Sequence, residues 1–252
     1  MELEMELEKL RSEARKTQVL VLAGGRGKRM GAINKPKPML EICGKPLIDH
    51  AIELCVKCGF RDFVFLLGYK HEEIEKHLSN ESRYGDVRFE FSVEPPEIKG
   101  KGKAIKYALV NGKIDRSRRA LIIFPDDLFL DSMLPLRLLL QHLNGREMFD
   151  VLATLVFVSG TTYPYGVGSI DDFGLVRYFE EKPFISRYTS TGMLMIEPEV
   201  FEIVEREIDL DYPESIEFEQ VVLPKLARSG KLYALIIAPQ IWLPVNTQKE
   251  YE

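Results

Sequence analysis

The chain has 252 residues, 45% of them apolar, enough for a substantial core in one large α/β domain or two small ones. Its 34 basic and 39 acidic residues leave a net charge of −5 and are mixed along the chain, which argues against nucleic acid as a partner. No apolar run approaches a membrane span, and residues 1–16 are charged throughout without the apolar centre of a signal peptide, so a cytoplasmic protein with no membrane partner is expected.

Met1 to Lys16 reads as a short exposed helix, an N-terminal extension (1–17) ahead of a single domain (18–252). Val19 to Ala23 is a buried strand that breaks into a glycine-rich loop, and a helix starts at Pro46 and stops at Gly59, with apolar residues at 47, 48, 51, 52, 55 and 58. A second strand covers Phe63 to Leu67, a short helix His71 to Leu78, a third strand Val87 to Val93, a helix Lys103 to Val110 and a fourth strand Ala120 to Phe124. Strands alternating with helices predict a parallel sheet, so the fold class is α/β. The second half changes texture: strands at Val151 to Val158, Val167 to Ile170, Leu175 to Phe179 and Met193 to Ile196 predict an antiparallel elaboration, followed by a helix from Ile216 to Arg228 and a strand from Leu232 to Ile237. Cys55 and Cys58 form Cys-x-x-Cys without two further ligands nearby, and are expected to be buried thiols on one helix face.

From Gly24 to Pro38 there are five basic residues, Arg26, Lys28, Arg29, Lys35 and Lys37, and no acidic one. Glycine lets backbone N–H groups approach an anion, and cations neutralise what remains, so the loop is a candidate phosphate site at a strand's carboxyl end. It is neither a dinucleotide fingerprint, which would need glycine where Met30 stands, nor a P-loop, since no Gly-Lys-Ser/Thr closes it. Pro125-Asp126-Asp127 puts two carboxylates at the end of the fourth strand, hard oxygens suited to Mg²⁺; a turn or a helix cap is the competing use of such a pair. Glu181-Lys182-Pro183 could grip a sugar phosphate, glutamate accepting from hydroxyls and lysine meeting the phosphate, and Lys99 to Ala104 opens a helix whose N-terminal donors favour an anion or a base edge. The four histidines, 50, 71, 77 and 142, are expected at the surface or at helix ends.

From about Val19 to Thr247 the chain resembles the sugar-phosphate nucleotidylyltransferases, also called nucleotide-sugar pyrophosphorylases. The residues that carry the resemblance are Leu22-Ala23-Gly24-Gly25-x-Gly27-x-Arg29-Met30, then Pro36-Lys37-Pro38-Met39-Leu40 and Gly44-Lys45-Pro46-Leu47-Ile48. Gly100 and Ala104, Phe124-x-Asp126, Tyr165-Gly166, Glu181-Lys182-Pro183, Thr191-Gly192 and the closing run Trp242 to Thr247 are similar too. The resemblance implies a Rossmann-like mixed, mostly parallel sheet flanked by helices with a small antiparallel sugar-binding elaboration. It implies condensation of a nucleoside triphosphate with a sugar 1-phosphate, glucose 1-phosphate by default, to a nucleotide sugar and pyrophosphate, with Mg²⁺ as cofactor. Leu22, Ala23, Gly24, Gly25, Gly27, Lys28, Gly100 and Lys101 would then bind the nucleotide. Arg29 would grip the triphosphate, Lys37 would stabilise the reacting α-phosphate and Asp126 would hold the metal. Gly166, Glu181, Lys182 and Thr191 would bind the sugar phosphate. No covalent nucleophile is needed.

Three departures stand out. Lys28 replaces a usual threonine, and Lys101 and Lys103 replace small residues in the base-reading loop, so the base is not inferred. The family's closing aspartate is missing from Trp242-Leu243-Pro244-Val245-Asn246-Thr247, so Asn246 or Asp127 substitutes as second metal ligand, or metal binding is weakened. That weakening leaves open a catalytically impaired regulatory protein that binds nucleotide sugars, and a non-sugar phosphate acceptor is a further alternative. The chain ends soon after this run, and no left-handed β-helix domain is expected. Oligomeric state stays open: the N-terminal helix could pack on a neighbour in a homo-oligomer or fray.

Overall fold

The computed structural model describes residues 2–25, 35–79 and 84–251. The first half comprises α1 (Glu2–Lys16), β1 (Gln18–Leu22), β2 (Glu41–Ile42), β3 (Lys45–Pro46), α2 (Leu47–Lys57), β4 (Asp62–Leu67), α3 (His71–Leu78), β5 (Arg88–Val93), α4 (Lys101–Val110) and β6 (Ala120–Ile123). Then follow β7 (Asp127–Phe129), α5 (Leu134–Phe149), β8 (Ala153–Val158), β9 (Thr161–Thr162), β10 (Val167–Ile170), β11 (Val176–Glu180), β12 (Phe184–Ile185) and β13 (Thr189–Ile196). The chain continues through α6 (Glu199–Glu207), α7 (Phe218–Arg228), β14 (Leu232–Ile237), β15 (Trp242–Pro244) and α8 (Gln248–Tyr251).

Seven strands form one sheet in the order β14-β8-β13-β6-β1-β4-β5. All neighbours run parallel except β13, which is antiparallel to both β6 and β8. Central strands are apolar on both faces because both faces are covered. Val19 and Val21 of β1 point into a layer built with α2, α3 and α5, while Leu20 points into the opposite layer with α4, α6 and α7. The predicted α/β architecture is therefore present. Beyond the sheet, β10 pairs with β11 and β9 with β12 as small antiparallel ribbons. All nine residues of β10 and β11 are exposed, so this elaboration stands off the core.

Besides the four-residue α8, two helices have no counterpart in the sequence reading. In α5 leucines fill five of the seven positions from 134 to 140, and the outward face mixes Arg137, Asn144 and Glu147 with exposed Leu140, Met148 and Phe149, which blurs the 3.6-residue rhythm. Its inner face packs on the sheet, with Leu134, Leu136, Leu138 and Leu139 buried. The other is α6, only nine residues long. The N-terminal helix also departs from the expectation of an exposed one. Its Ala14 is buried, Leu7 and Leu10 pack against the core, and Arg118 Nε donates to the Lys16 carbonyl at 2.9 Å. Cys55 and Cys58 are free and buried, as expected. Among the described residues no helix is long and apolar enough to cross a membrane.

The histidine expectation fails at His142, which is completely buried. Its Nδ1 lies 2.9 Å from Thr154 Oγ1 and its Nε2 lies 3.0 Å from Glu197 Oε1, which also accepts from Arg119 Nε at 2.8 Å. Burial alone would raise the Glu197 carboxyl, but the bonds from His142 and Arg119 outweigh it and hold the pKa at about 2. A depressed acid contributes stability that is complete above the unfolded value near 4.5 and is lost as pH falls toward 2. Glu197→Ala should therefore cost about 3 kcal/mol at neutral pH by leaving buried partners uncompensated. In denaturant melts that deficit should shrink as pH drops below about 4.

Candidate functional site

The carboxyl ends of β6, β1, β4 and β5, together with the start of the antiparallel β13, share one rim, which is where open α/β sheets hold ligands. A cleft of about 1410 Å³ follows that rim. Crossing from one end to the other, its lining passes Thr191 and Gly192, Phe124 to Asp127, Gly24 and Gly25, Gly68 and Tyr69, then Glu94.

The first strand ends where predicted. Leu22, Ala23, Gly24 and Gly25 all line the cleft, and Gly24 lets the Glu94 carboxylate approach: a Cβ at that position would stand 2.0 Å from Glu94 Oε1 and displace it. Gly25 has open space around it. Gly27, Lys28 and Arg29 lie outside the described residues.

Lys37 sits in a 3-10 turn, Lys37–Met39, between Pro36 and the buried Pro38. Its ammonium donates to Asp126 Oδ2 and, at 3.2 Å, to Asn246 Oδ1. Three segments distant in sequence thus meet at one point, and the backbone fixes two of them, since Val245 N donates to the Asp126 carbonyl at 2.8 Å and β15 pairs with β7. Trp242 Nε1 donates to Asp127 Oδ1 at 2.7 Å. Burial, and then the charge of Asp126, push the Asp127 carboxyl up to about 7.

The donor set fits Mg²⁺. Asp126 Oδ2 and Asn246 Oδ1 are hard oxygens already converging on a cation, and Mg²⁺ is commonly held by one or two protein oxygens together with phosphates. Among the described residues no group of three His, Cys, Asp or Glu side chains could hold an ion without such help.

Gly100 and Lys101 also line the cleft, but the helix start they form is already used. Lys101 N donates to Glu217 Oε2 at 3.1 Å and Gly102 N to the Ile216 carbonyl at 2.9 Å, so the first two donors of α4 are occupied by the chain itself. The Lys101 ammonium pairs with Glu219 and stands 4.9 Å from the centre of the Phe124 ring. Lys103, placed by the sequence reading in the base loop, is instead fully buried and holds the carbonyls of Leu210 and Tyr212.

Of the sugar-phosphate set, Thr191 reaches the cleft, although its hydroxyl already donates to Val156 O at 3.1 Å and accepts from Met193 N at 3.3 Å. Gly166 and Glu181 are brought together, Glu181 Oε2 standing 3.0 Å from where a Gly166 Cβ would be, with Lys182 next in sequence at φ +50°. This group flanks the exposed ribbon and is not part of the cleft lining.

The sequence reading missed Glu94. Its carboxyl is raised to about 7 by burial at the far end of the cleft. The signal was an acidic residue directly after an alternating strand and immediately before Pro95-Pro96. Gly192 is a second tight point: φ is +91° and a Cβ would stand 2.8 Å from the Phe124 ring. Gly192→Ala should cost at least ~1 kcal/mol and push that ring out of place. An unchanged thermal midpoint would show that the ring and the glycine do not meet.

Comparison with known proteins bears on this cleft. A family model described as nucleotidyl transferase matches residues 18–251. The mannose-1-phosphate guanylyltransferase catalytic subunit beta of Drosophila pseudoobscura pseudoobscura is 30% identical over 240 residues, covering 93% of this chain and 60% of that protein. The protein of the same name from Danio rerio is 28% identical, covering 93% and 62%. The chain thus spans about three fifths of the length of these relatives. The sucrose complex of a glucose-1-phosphate thymidylyltransferase candidate from Bacillus anthracis superposes with a TM-score of 0.71 at 22% identity, over 93% of this chain and 92% of that one, which shows the shared fold. With the family model matched from the first strand to the last helix, the chain belongs to the nucleotidyl transferase family.

Proposed function

We propose that this protein transfers a guanylyl group from guanosine triphosphate to a sugar 1-phosphate, mannose 1-phosphate in place of the default glucose 1-phosphate, releasing pyrophosphate. A phosphate oxygen of the acceptor bonds to the α-phosphorus, and the bond from that phosphorus to the bridging oxygen of pyrophosphate breaks. Such transfers depend on positioning and charge neutralisation rather than on a covalent intermediate. The observation that carries the reading is the meeting of Lys37 with Asp126 and Asn246 midway along a rim, beside the glycines that would take a triphosphate. Asp126 and Asn246 would hold Mg²⁺ with the triphosphate oxygens, where the ion neutralises charge on the leaving pyrophosphate. Lys37 would meet the α-phosphate, and Thr191, Gly192 and Phe124 would wall the acceptor side.

The base and the acceptor are supported separately. The relatives named above share mannose 1-phosphate and guanylyl transfer in their names. Within this chain, Glu94 lies across Gly24 from the reacting centre with a carboxylate to offer. Guanine presents two adjacent donors, N1–H and N2–H, on one edge; adenine, cytosine and uracil each place an acceptor beside their donor. An ionised carboxylate can accept both guanine bonds and would meet a lone pair with the other bases.

A pyrophosphate-release assay over four nucleoside triphosphates and a panel of sugar 1-phosphates tests this. Turnover should be greatest with guanosine triphosphate and mannose 1-phosphate; saturable nucleotide binding without turnover for any pair would overturn the enzyme reading. Glu94→Gln should weaken guanosine triphosphate binding about tenfold or more, the order expected for loss of a charge-assisted pair. Because burial raises the Glu94 carboxyl to about 7, wild-type affinity should increase as pH rises through 7 and ionises it. The Glu94→Gln profile should be flatter, and parallel profiles would remove Glu94 from base recognition.

A further inference from the structure

The Lys37 ammonium occupies the oxygens that a divalent cation would need. Its side chain is only 12% exposed and leaves a turn fixed by Pro36 and Pro38, so this placement is built in. Both acceptors are held as well: Asn246 N donates to Glu250 Oε2 at 2.8 Å, and Val245 N binds the Asp126 carbonyl. An ammonium takes oxygens at hydrogen-bond distance, whereas Mg²⁺ takes them at about 2.0–2.1 Å. Asp126 keeps a second oxygen, but two cations at one carboxylate repel each other strongly in a partly buried site.

We propose that Lys37 is the resident cation of this site and competes with the divalent ion for Asp126 and Asn246. In the nucleotide-free protein Lys37 holds the site shut to metal. Only when a triphosphate offers the ammonium a new anionic partner does Lys37 release these oxygens, so metal and nucleotide enter together. The same movement would carry Lys37 from its resting acceptors to the phosphate, coupling metal loading to placement of the group that stabilises the reacting phosphorus. The triphosphate half of this inference rests on the proposed function; the competition for oxygens does not.

The test is Mn²⁺ binding to nucleotide-free protein, read as loss of the free-ion electron paramagnetic resonance signal. Wild type should bind Mn²⁺ weakly, and Lys37→Met, which removes the ammonium but keeps the stem, should bind it more tightly by on the order of tenfold. The gain should vanish in Lys37→Met/Asp126→Asn. Equal Mn²⁺ affinity in wild type and Lys37→Met, in samples with matching circular dichroism, would overturn the proposal. Should Lys37→Met not fold, the wild-type protein still decides. Inorganic triphosphate should then raise its Mn²⁺ binding beyond what the triphosphate binds alone, and tight Mn²⁺ binding without triphosphate would refute the competition. Neither result depends on base, acceptor or turnover, so absence of transferase activity would count against the proposed function and leave this one standing.

Discussion

The meeting of Lys37, Asp126 and Asn246 ties together three parts of the chain that nothing local would bring near one another. Lys37 arrives on a proline-fixed turn, Asp126 on the end of β6, and Asn246 on a segment zipped to β6 through the pairing of β15 with β7. Both a carboxylate and a lysine ammonium lose solvation there, and their attraction, with the amide oxygen filling out the ammonium's bonds, offsets that cost. An acidic chain thereby presents a cation at the middle of its cleft.

The sheet order supplies the rest of the arrangement. Because β6, β1, β4 and β5 are consecutive neighbours, groups that follow them in sequence become a row: Phe124 to Asp127, the glycines, Gly68, and Glu94. The reversed β13 adds Thr191 and Gly192 at the other end of the row. Gly24 leaves room for the Glu94 carboxylate where it now lies, and Gly192, at positive φ against the Phe124 ring, is a steric requirement of its neighbour. Under the proposed function, strand order would set out a base end, a phosphate centre and an acceptor end along this row.

Much of this arrangement is legible in the amino-acid sequence. The continuous apolar runs at β1, β4 and β6 mark strands covered on both faces, and the glycines after β1 and the aspartates after β6 mark the functional rim. What is not legible has physical reasons. The outward face of α5 mixes exposed Leu140, Met148 and Phe149 with its polar residues, which hides the helical stripe, and His142 and Glu197 pair across 55 residues of sequence. Lys103 reads as a loop cation by spacing, yet it is drawn inward by the carbonyls of Leu210 and Tyr212, partners more than a hundred residues away. Glu94 carries no motif, and its position opposite Gly24 exists only once β5 is placed at the sheet edge.

The most direct measurement is a crystal structure of the protein with guanosine triphosphate, Ca²⁺ as a non-catalytic ion and mannose 1-phosphate. Guanine should lie against Glu94, the ion at Asp126 and Asn246, the Lys37 ammonium on the α-phosphate, and the sugar between Phe124 and Gly192. A nucleotide bound away from the rim, or one that leaves the Lys37–Asp126 pair intact with its α-phosphate out of reach, would contradict this arrangement.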